Sequence, residues 1–240
     1  NKRIAFVNDE PRIRGLMEYT GLSYKEAVNY TMIGCNELAL PGGMVFGFDP
    51  FNIVRSVENT FYKRSDDIAK ATCFEAFYNI YEQELFSDLW AGEKIGKGFQ
   101  DIRSRDCNLV SNIFLEGPIE NAKSCTQGGL TRYIAVGLPI GLSSVIDSLS
   151  VTKQFVFDEK LITIGELVDG LKNNWQGYED LHSLILKKGN FFGNDDDCSN
   201  GVAKRLFDSI GKWNNTENYL GKKWIFGNLI GYNEHHKFFG

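Results

Sequence analysis

One pattern confines this chain more than any other: an apolar run behind a double glycine, followed by helix signatures in close succession. Gly128-Gly129 precedes Thr131 to Val136, which reads as a strand. Ser143 or Ser144 can then cap a helix carrying Val145, Leu149 and Thr152 on one face. Thr163 and Glu166 have capping-box spacing, and Leu167, Leu171 and Trp175 follow at helical intervals. Leu181, Leu184 and Ile185 mark another helix. Val202, Leu206, Ile210 and Trp213 mark a fourth, introduced by Asn194-Asp195-Asp196-Asp197, whose acidic groups complement a helix N-terminus. Trp224 to Ile230 returns to strand character. Helices and strands that alternate in this way define an α/β fold class.

The first half follows the same grammar. Arg3 to Val7 reads as a short buried strand, and Ser23 opens a helix toward Tyr30 with Glu26 at capping-box spacing. Thr31 to Cys35 reads as a short strand feeding a tight turn, and Leu40-Pro41-Gly42-Gly43 as a loop. Phe51, Val54, Val57 and Phe61 recur at helical spacing, as do Phe74, Phe77, Tyr81 and Leu85. Gly92 to Gly98 reads as a loop containing glycine and lysine.

Composition removes several function classes. Aromatic residues make up 13% of the chain, enough for a thick core. The net charge is −5, with both signs mixed along the chain and no basic stripe, so nucleic acid is not an expected partner. No apolar run reaches the ~18 residues needed to span a bilayer, so no membrane is expected either. Five cysteines without a C-x-x-C pair fit a reducing cytosol. The ends, Asn1-Lys2-Arg3 and Phe238-Phe239-Gly240, read as cut from a longer protein.

Single motifs fail on inspection. The Gly92 to Lys97 segment has one residue too few between its glycines for a phosphate-binding loop. Asp195, Asp197 and Ser199 begin like a calcium loop, but Asn200 and Leu206 occupy the places of its glycine and bidentate glutamate. No G-x-S-x-G occurs. His235 and His236 would point apart on a strand, and His182 reads as a helix-surface residue, so no metal site is expected.

The informative stretch is Gly34-Cys35-Asn36-Glu37. A lone buried Cys usually behaves as a small hydrophobe. A Cys and a Glu two residues apart nevertheless point the same way on an extended segment, or meet on a turn. A carboxyl beside a thiol can protonate or deprotonate a substrate that the sulfur has activated.

Gly34-Cys35-x-Glu37 behind a short helix resembles the cysteine loop of glycyl radical enzymes, and further blocks agree. Ser124-Cys125-Thr126-Gln127-Gly128-Gly129 with Tyr133 resembles the family's double-glycine segment. Asp147-Ser148-Leu149, Lys153 and Val156-Phe157-Asp158 resemble its D-S-L-x-A-I-K-x-x-V-F segment. Asn173-Asn174-Trp175-x-Gly177-Tyr178-Glu179 resembles A-N-F-x-G-x-E, and Phe192-Gly193-Asn194-Asp195-Asp196 resembles Y-G-N-D-D. The blocks occur in the family's order.

This resemblance implies roughly the second half of a ten-stranded α/β barrel with outer helices, residues 1–240 all belonging to that domain. It implies a protein glycyl radical, installed by a radical S-adenosylmethionine activase, that draws a hydrogen atom from Cys35. The thiyl radical then draws one from a small-molecule substrate, with Glu37 as acid or base. The full-length protein is expected to be a cytoplasmic homodimer. No R-V-x-G-Y glycine loop occurs in the chain, so the isolated chain is expected to be inactive and to bind no cofactor or metal.

Departures refine the expectation. Pyruvate formate-lyase has two adjacent cysteines in this loop, whereas Cys35 stands between Gly34 and Asn36. That disfavours formate acetyltransferase chemistry and favours the eliminating branch: diol and glycerol dehydratases and choline trimethylamine-lyase. Those commonly show G-C-V-E-P, where this chain has Asn36 and Leu38. Asp49 could contact a substrate hydroxyl or cap a helix opening at Pro50-Phe51, and the cap is the preferred role. A non-catalytic partial homologue is the reading from outside enzymology.

Overall fold

The structure, a computed structural model, describes residues 8–33, 37–107, 109–216 and 224–226, with the backbone alone for residues 44–50 and 224–226. In chain order the first elements are helices α1 (Asp9–Thr20) and α2 (Tyr24–Ala27) and strands β1 (Thr31–Ile33), β2 (Glu37–Ala39) and β3 (Met44–Asn52). Helices α3 (Val54–Lys63), α4 (Ser65–Ile68), α5 (Phe74–Arg103) and α6 (Leu109–Asn112) precede strand β4 (Tyr133–Ile140). Helices α7 (Leu142–Thr152), α8 (Ile164–Lys172), α9 (Glu179–Lys188) and α10 (Asp197–Asn214) precede strand β5 (Trp224–Phe226). A π-helical segment, Lys153–Asp158, continues α7.

These elements divide into two compact units, one formed by residues 1–50, 92–139 and 217–240, the other by 51–91 and 140–216. The first carries the sheets. β1 and β2 form an antiparallel pair, and β3, β4 and β5 a sheet in the order β3-β4-β5. β4 and β5 run parallel, with Ala135 opposite Trp224. Residues Ile134 to Pro139 of β4 are all buried, as expected for a strand covered on both faces. Its larger side chains, Ile134, Val136 and Leu138, meet Leu16 of α1, Ala27 of α2, and Leu38 and Leu40 around β2 in one aliphatic core.

The second unit is helical. The aromatic stripe of α5 buries Phe74, Phe77, Tyr78 and Tyr81. Tyr78 also shares a 3.0 Å hydrogen bond with Ser209 of α10. α7 packs against α10 and against α3. Two N-termini behave as their residues predict. Thr163 Oγ1 accepts the Glu166 N–H at 3.1 Å, and the Glu166 carboxylate accepts the Thr163 N–H at 2.7 Å. Asp196 caps α10 through the Ser199 N–H at 2.9 Å.

Several expectations change. Gly92 to Gly98 is not a loop: α5 runs through it to Arg103. The inward positions there are Glu93, Gly96 and Gln100, while Ile95, Phe99 and Ile102 are exposed, so the apolar period gives no guide to this turn of helix. Ser143 and Ser144 lie inside α7, whose N-cap is Gly141. Phe51 belongs to β3, and Trp175 lies beyond the end of α8. The strand expected at Arg3 to Val7, and the residues after Phe226, lie outside the described residues.

Candidate active site

Of the residues singled out for chemistry, Glu37 and Asp49 fall in the strand-bearing unit, in β2 and β3. Chain entry is set by the capping box: the Ser23 N–H and hydroxyl both donate to Glu26 Oε2, at 3.0 and 2.6 Å. Those bonds hold the Glu26 carboxyl below its ordinary range, with Arg132 adding to the effect. Ala27 is buried in the aliphatic core. Tyr30 follows, its hydroxyl donating to Asp9; burial and that carboxylate push the phenol upward.

β1 and β2 pair with Thr31 opposite Ala39, Met32 opposite Leu38 and Ile33 opposite Glu37. Gly34, Cys35 and Asn36 stand between the two strands in sequence and lie outside the described residues. Glu37 is therefore the first residue of β2 rather than part of a loop. Neighbouring strand residues point to opposite faces. Leu38 joins the aliphatic core, while Glu37, facing the other way, is only 4% exposed. Glutamate is seldom this buried, because desolvation penalises its charge unless it is paired.

Asp49 falls inside β3, and helix α3 begins only at Val54 with Ile53 as its N-cap. The capping role expected for Asp49 is thus excluded by the strand, which continues to Asn52 before any helix starts. Its side chain is outside the described set.

The remaining blocks make the following structural contacts. Gly129 passes so close to the chain that a Cβ there would sit 1.9 Å from the Lys123 carbonyl oxygen, an approach only glycine permits. Cys125 is fully buried, with its N–H donating to Asn112 Oδ1 at 2.8 Å. In the helical unit, Asp147 Oδ1 accepts the Phe192 N–H at 2.7 Å, tying two separate blocks together. Burial raises the Asp147 carboxyl, and that bond partly offsets the rise. Gln154, buried in the π-helical segment, donates to the Lys188 carbonyl at 3.1 Å and accepts the Asn190 N–H at 2.9 Å. Trp175 stacks on His182, with ring centroids 4.7 Å apart. Among the described residues no cluster of three or more His, Cys, Asp or Glu could hold a metal ion. No described helix is long and apolar enough to cross a membrane.

Sequence reasoning missed Arg132. Its guanidinium contacts Glu26 at 3.1 Å and Glu116 at 3.3 Å. Arg132 and Glu26 are 106 positions apart, so no local spacing could have paired them.

The mixed α/β architecture is that of part of a radical-enzyme barrel. Residues 102–230 match the family model described as "Pyruvate formate lyase-like", and the chain belongs to that family of glycyl radical enzymes. The match takes in the four later sequence blocks and begins after the hairpin. The (2S)-3-sulfopropanediol dehydratase of Klebsiella oxytoca is 27% identical over 219 residues, covering 84% of this chain and 26% of that protein. The crystal structure of hydroxyproline dehydratase from Clostridioides difficile, with trans-4-hydroxy-L-proline bound, superposes with a TM-score of 0.83 at 22% identity. It covers 95% of this chain and 30% of that one. A glycyl radical enzyme from Archaeoglobus fulgidus superposes with a TM-score of 0.76 at 19% identity, covering 91% of this chain and 30% of that one. The chain thus spans about a quarter to a third of the proteins it matches.

Proposed function

We propose that this chain is the cysteine-loop portion of a glycyl radical lyase or dehydratase that eliminates water or an amine from a small hydroxylated substrate. The observation that carries the reading is the near-complete burial of Glu37 at the start of β2, two residues from Cys35. A radical glycine elsewhere in the whole protein would supply the hydrogen-atom acceptor for the Cys35 thiol. Cys35 presents its S–H hydrogen and then exchanges one with a substrate carbon. Glu37, kept from water, takes a proton from a substrate hydroxyl or gives one to the departing group. Asp49, on the strand after the hairpin, remains a candidate contact for a substrate hydroxyl.

The same reading assigns residues 1–240 to one part of the barrel domain. It gives the whole protein a radical S-adenosylmethionine activase as partner, a homodimeric state and a cytoplasmic setting. The isolated chain should catalyse nothing even with activase, S-adenosylmethionine and reductant. The dehydratase and hydroxyproline-bound relatives support elimination over acyl transfer, as does the single cysteine of the Gly34 to Glu37 segment.

The test is turnover of the full-length protein under anaerobic conditions, with its radical followed by electron paramagnetic resonance. Cys35→Ser should remove turnover, since an alcohol is a poor hydrogen-atom relay. Glu37→Gln should keep the radical signal and slow product formation roughly 10²–10⁴-fold. Undiminished turnover in Cys35→Ser defeats the reading; undiminished turnover in Glu37→Gln defeats the proton-transfer role alone.

A further inference from the structure

Arg132 stands at the junction of the two chain segments that enter and leave the β1–β2 hairpin. On the entry side its Nη2 lies 3.1 Å from Glu26 Oε1, while Glu26 Oε2 closes the Ser23 capping box that starts α2. α2 leads through Tyr30 directly into β1. On the exit side its Nη1 lies 3.3 Å from Glu116 Oε2. Glu116 in turn donates its N–H to the Gly42 carbonyl at 2.8 Å and accepts the Thr131 N–H at 3.0 Å. Gly42 and Gly43 form the turn that follows β2. A Cβ on Gly42 would meet the Glu116 carboxyl at 2.7 Å, and one on Gly43 would meet the Arg132 carbonyl oxygen at 2.9 Å. The turn is therefore pressed against both members of the ion pair.

We propose that Arg132 is a positioning residue for the reaction, fixing the β1–β2 pair that carries Glu37 by bridging its entry and its exit; this rests on the function proposed above. The guanidinium suits the role because one planar group can engage two carboxylates in fixed directions, which a lysine ammonium does not reproduce. Each pair is partly exposed and weak by itself. The consequence lies in geometry: a displacement of about 1 Å between reacting groups lowers turnover on the order of 10²-fold.

The experiment uses the full-length protein carrying Arg132→Met or Arg132→Lys. Turnover, radical yield by electron paramagnetic resonance, and amide hydrogen exchange across Thr31–Ala39 are measured together. Arg132→Met should lower kcat about 10- to 100-fold, with KM within about twofold, radical yield unchanged and faster exchange in the hairpin. Arg132→Lys should recover part of the loss. Should Arg132→Met fail to fold, the Glu26→Gln/Glu116→Gln double variant keeps the arginine, removes both charged partners and should show the same loss of kcat. Unchanged kcat in a folded variant overturns the proposal, as does a fall in radical yield that accounts for all the lost turnover. Retained turnover in Cys35→Ser would instead defeat the underlying functional reading, so the two failures are distinguishable.

Discussion

The helical unit fills its interior with rings, whereas the strand-bearing unit fills its own with aliphatic side chains. Phe51 and Trp90 both meet Trp213 edge-on, at 5.8 and 5.3 Å between centroids, and Phe77, Tyr81 and Phe155 are fully buried in the same unit. In the other unit Ile95, Phe99, Ile102, Leu109, Ile113 and Phe114 are exposed, Phe114 by 75%. That unit also brings backbones into contact at glycines and carries the partly exposed Arg132 ion pairs. The residues proposed for chemistry, Cys35 and Glu37, belong to this unit. The two units are thus packed by different means, rings in one and aliphatic side chains with close backbone contacts in the other.

Four substitutions can break or sharpen that contrast, taken from the largest expected effect downward. Trp213→Ala removes the ring around which the helical interior is built and should destabilise the protein by about 3–5 kcal/mol in chemical denaturation. A loss under about 1 kcal/mol would mean that the rings are not what stabilises this unit. Gly129→Ala adds a single carbon where the Lys123 carbonyl already stands. Forced backbone movement there should cost about 2–3 kcal/mol, and wild-type stability would remove backbone approach from the account of the strand-bearing unit.

Asp88 offers a smaller effect with a definite sign. Burial pushes its carboxyl upward, opposed mainly by Arg55, whose Nε lies 3.7 Å away, and its Oδ2 has no hydrogen-bond partner. A carboxyl raised in the folded state binds protons more tightly there than when unfolded. Its contribution to stability is complete below the ordinary carboxylate range and is lost as pH rises through the raised value. Asp88→Asn should flatten stability against pH over that window; an unchanged slope would show that the group ionises freely. Smallest of all, Phe114→Ser should change stability by no more than about 0.5 kcal/mol, because the ring already stands in solvent. A larger loss would show that this face contributes to the fold of the chain.

What the sequence disclosed follows from the range of each interaction. Ser23 with Glu26 and Thr163 with Glu166 are local bonds between residues three apart, and both capping boxes form. The α5 aromatic stripe was legible because its spacing and its burial agree. The continuation of α5 past Gly92 was not, since three glycines suggest a break and the buried positions are polar or small. Each glycine costs a helix interior about 1 kcal/mol, a penalty that packing elsewhere overrides. Glu37 could be singled out by its neighbour Cys35, but its burial could not. Arg132 was invisible because its partners come from distant segments, and the cap preferred for Asp49 fails because Pro50 suggested a helix start inside what is a strand.

The parallel pairing of β4 with β5 has a consequence for how the chain comes to be made. β4 ends at Ile140 and β5 begins at Trp224, and nearly everything between them belongs to the helical unit. At about 5–20 residues per second, β5 leaves the ribosome several seconds after β4. During that interval the nascent β4 lacks its eventual neighbour on one side. α7, which starts directly after β4, packs against α10, which ends shortly before β5. Docking those two helices first would shorten the effective loop that the late strand must close.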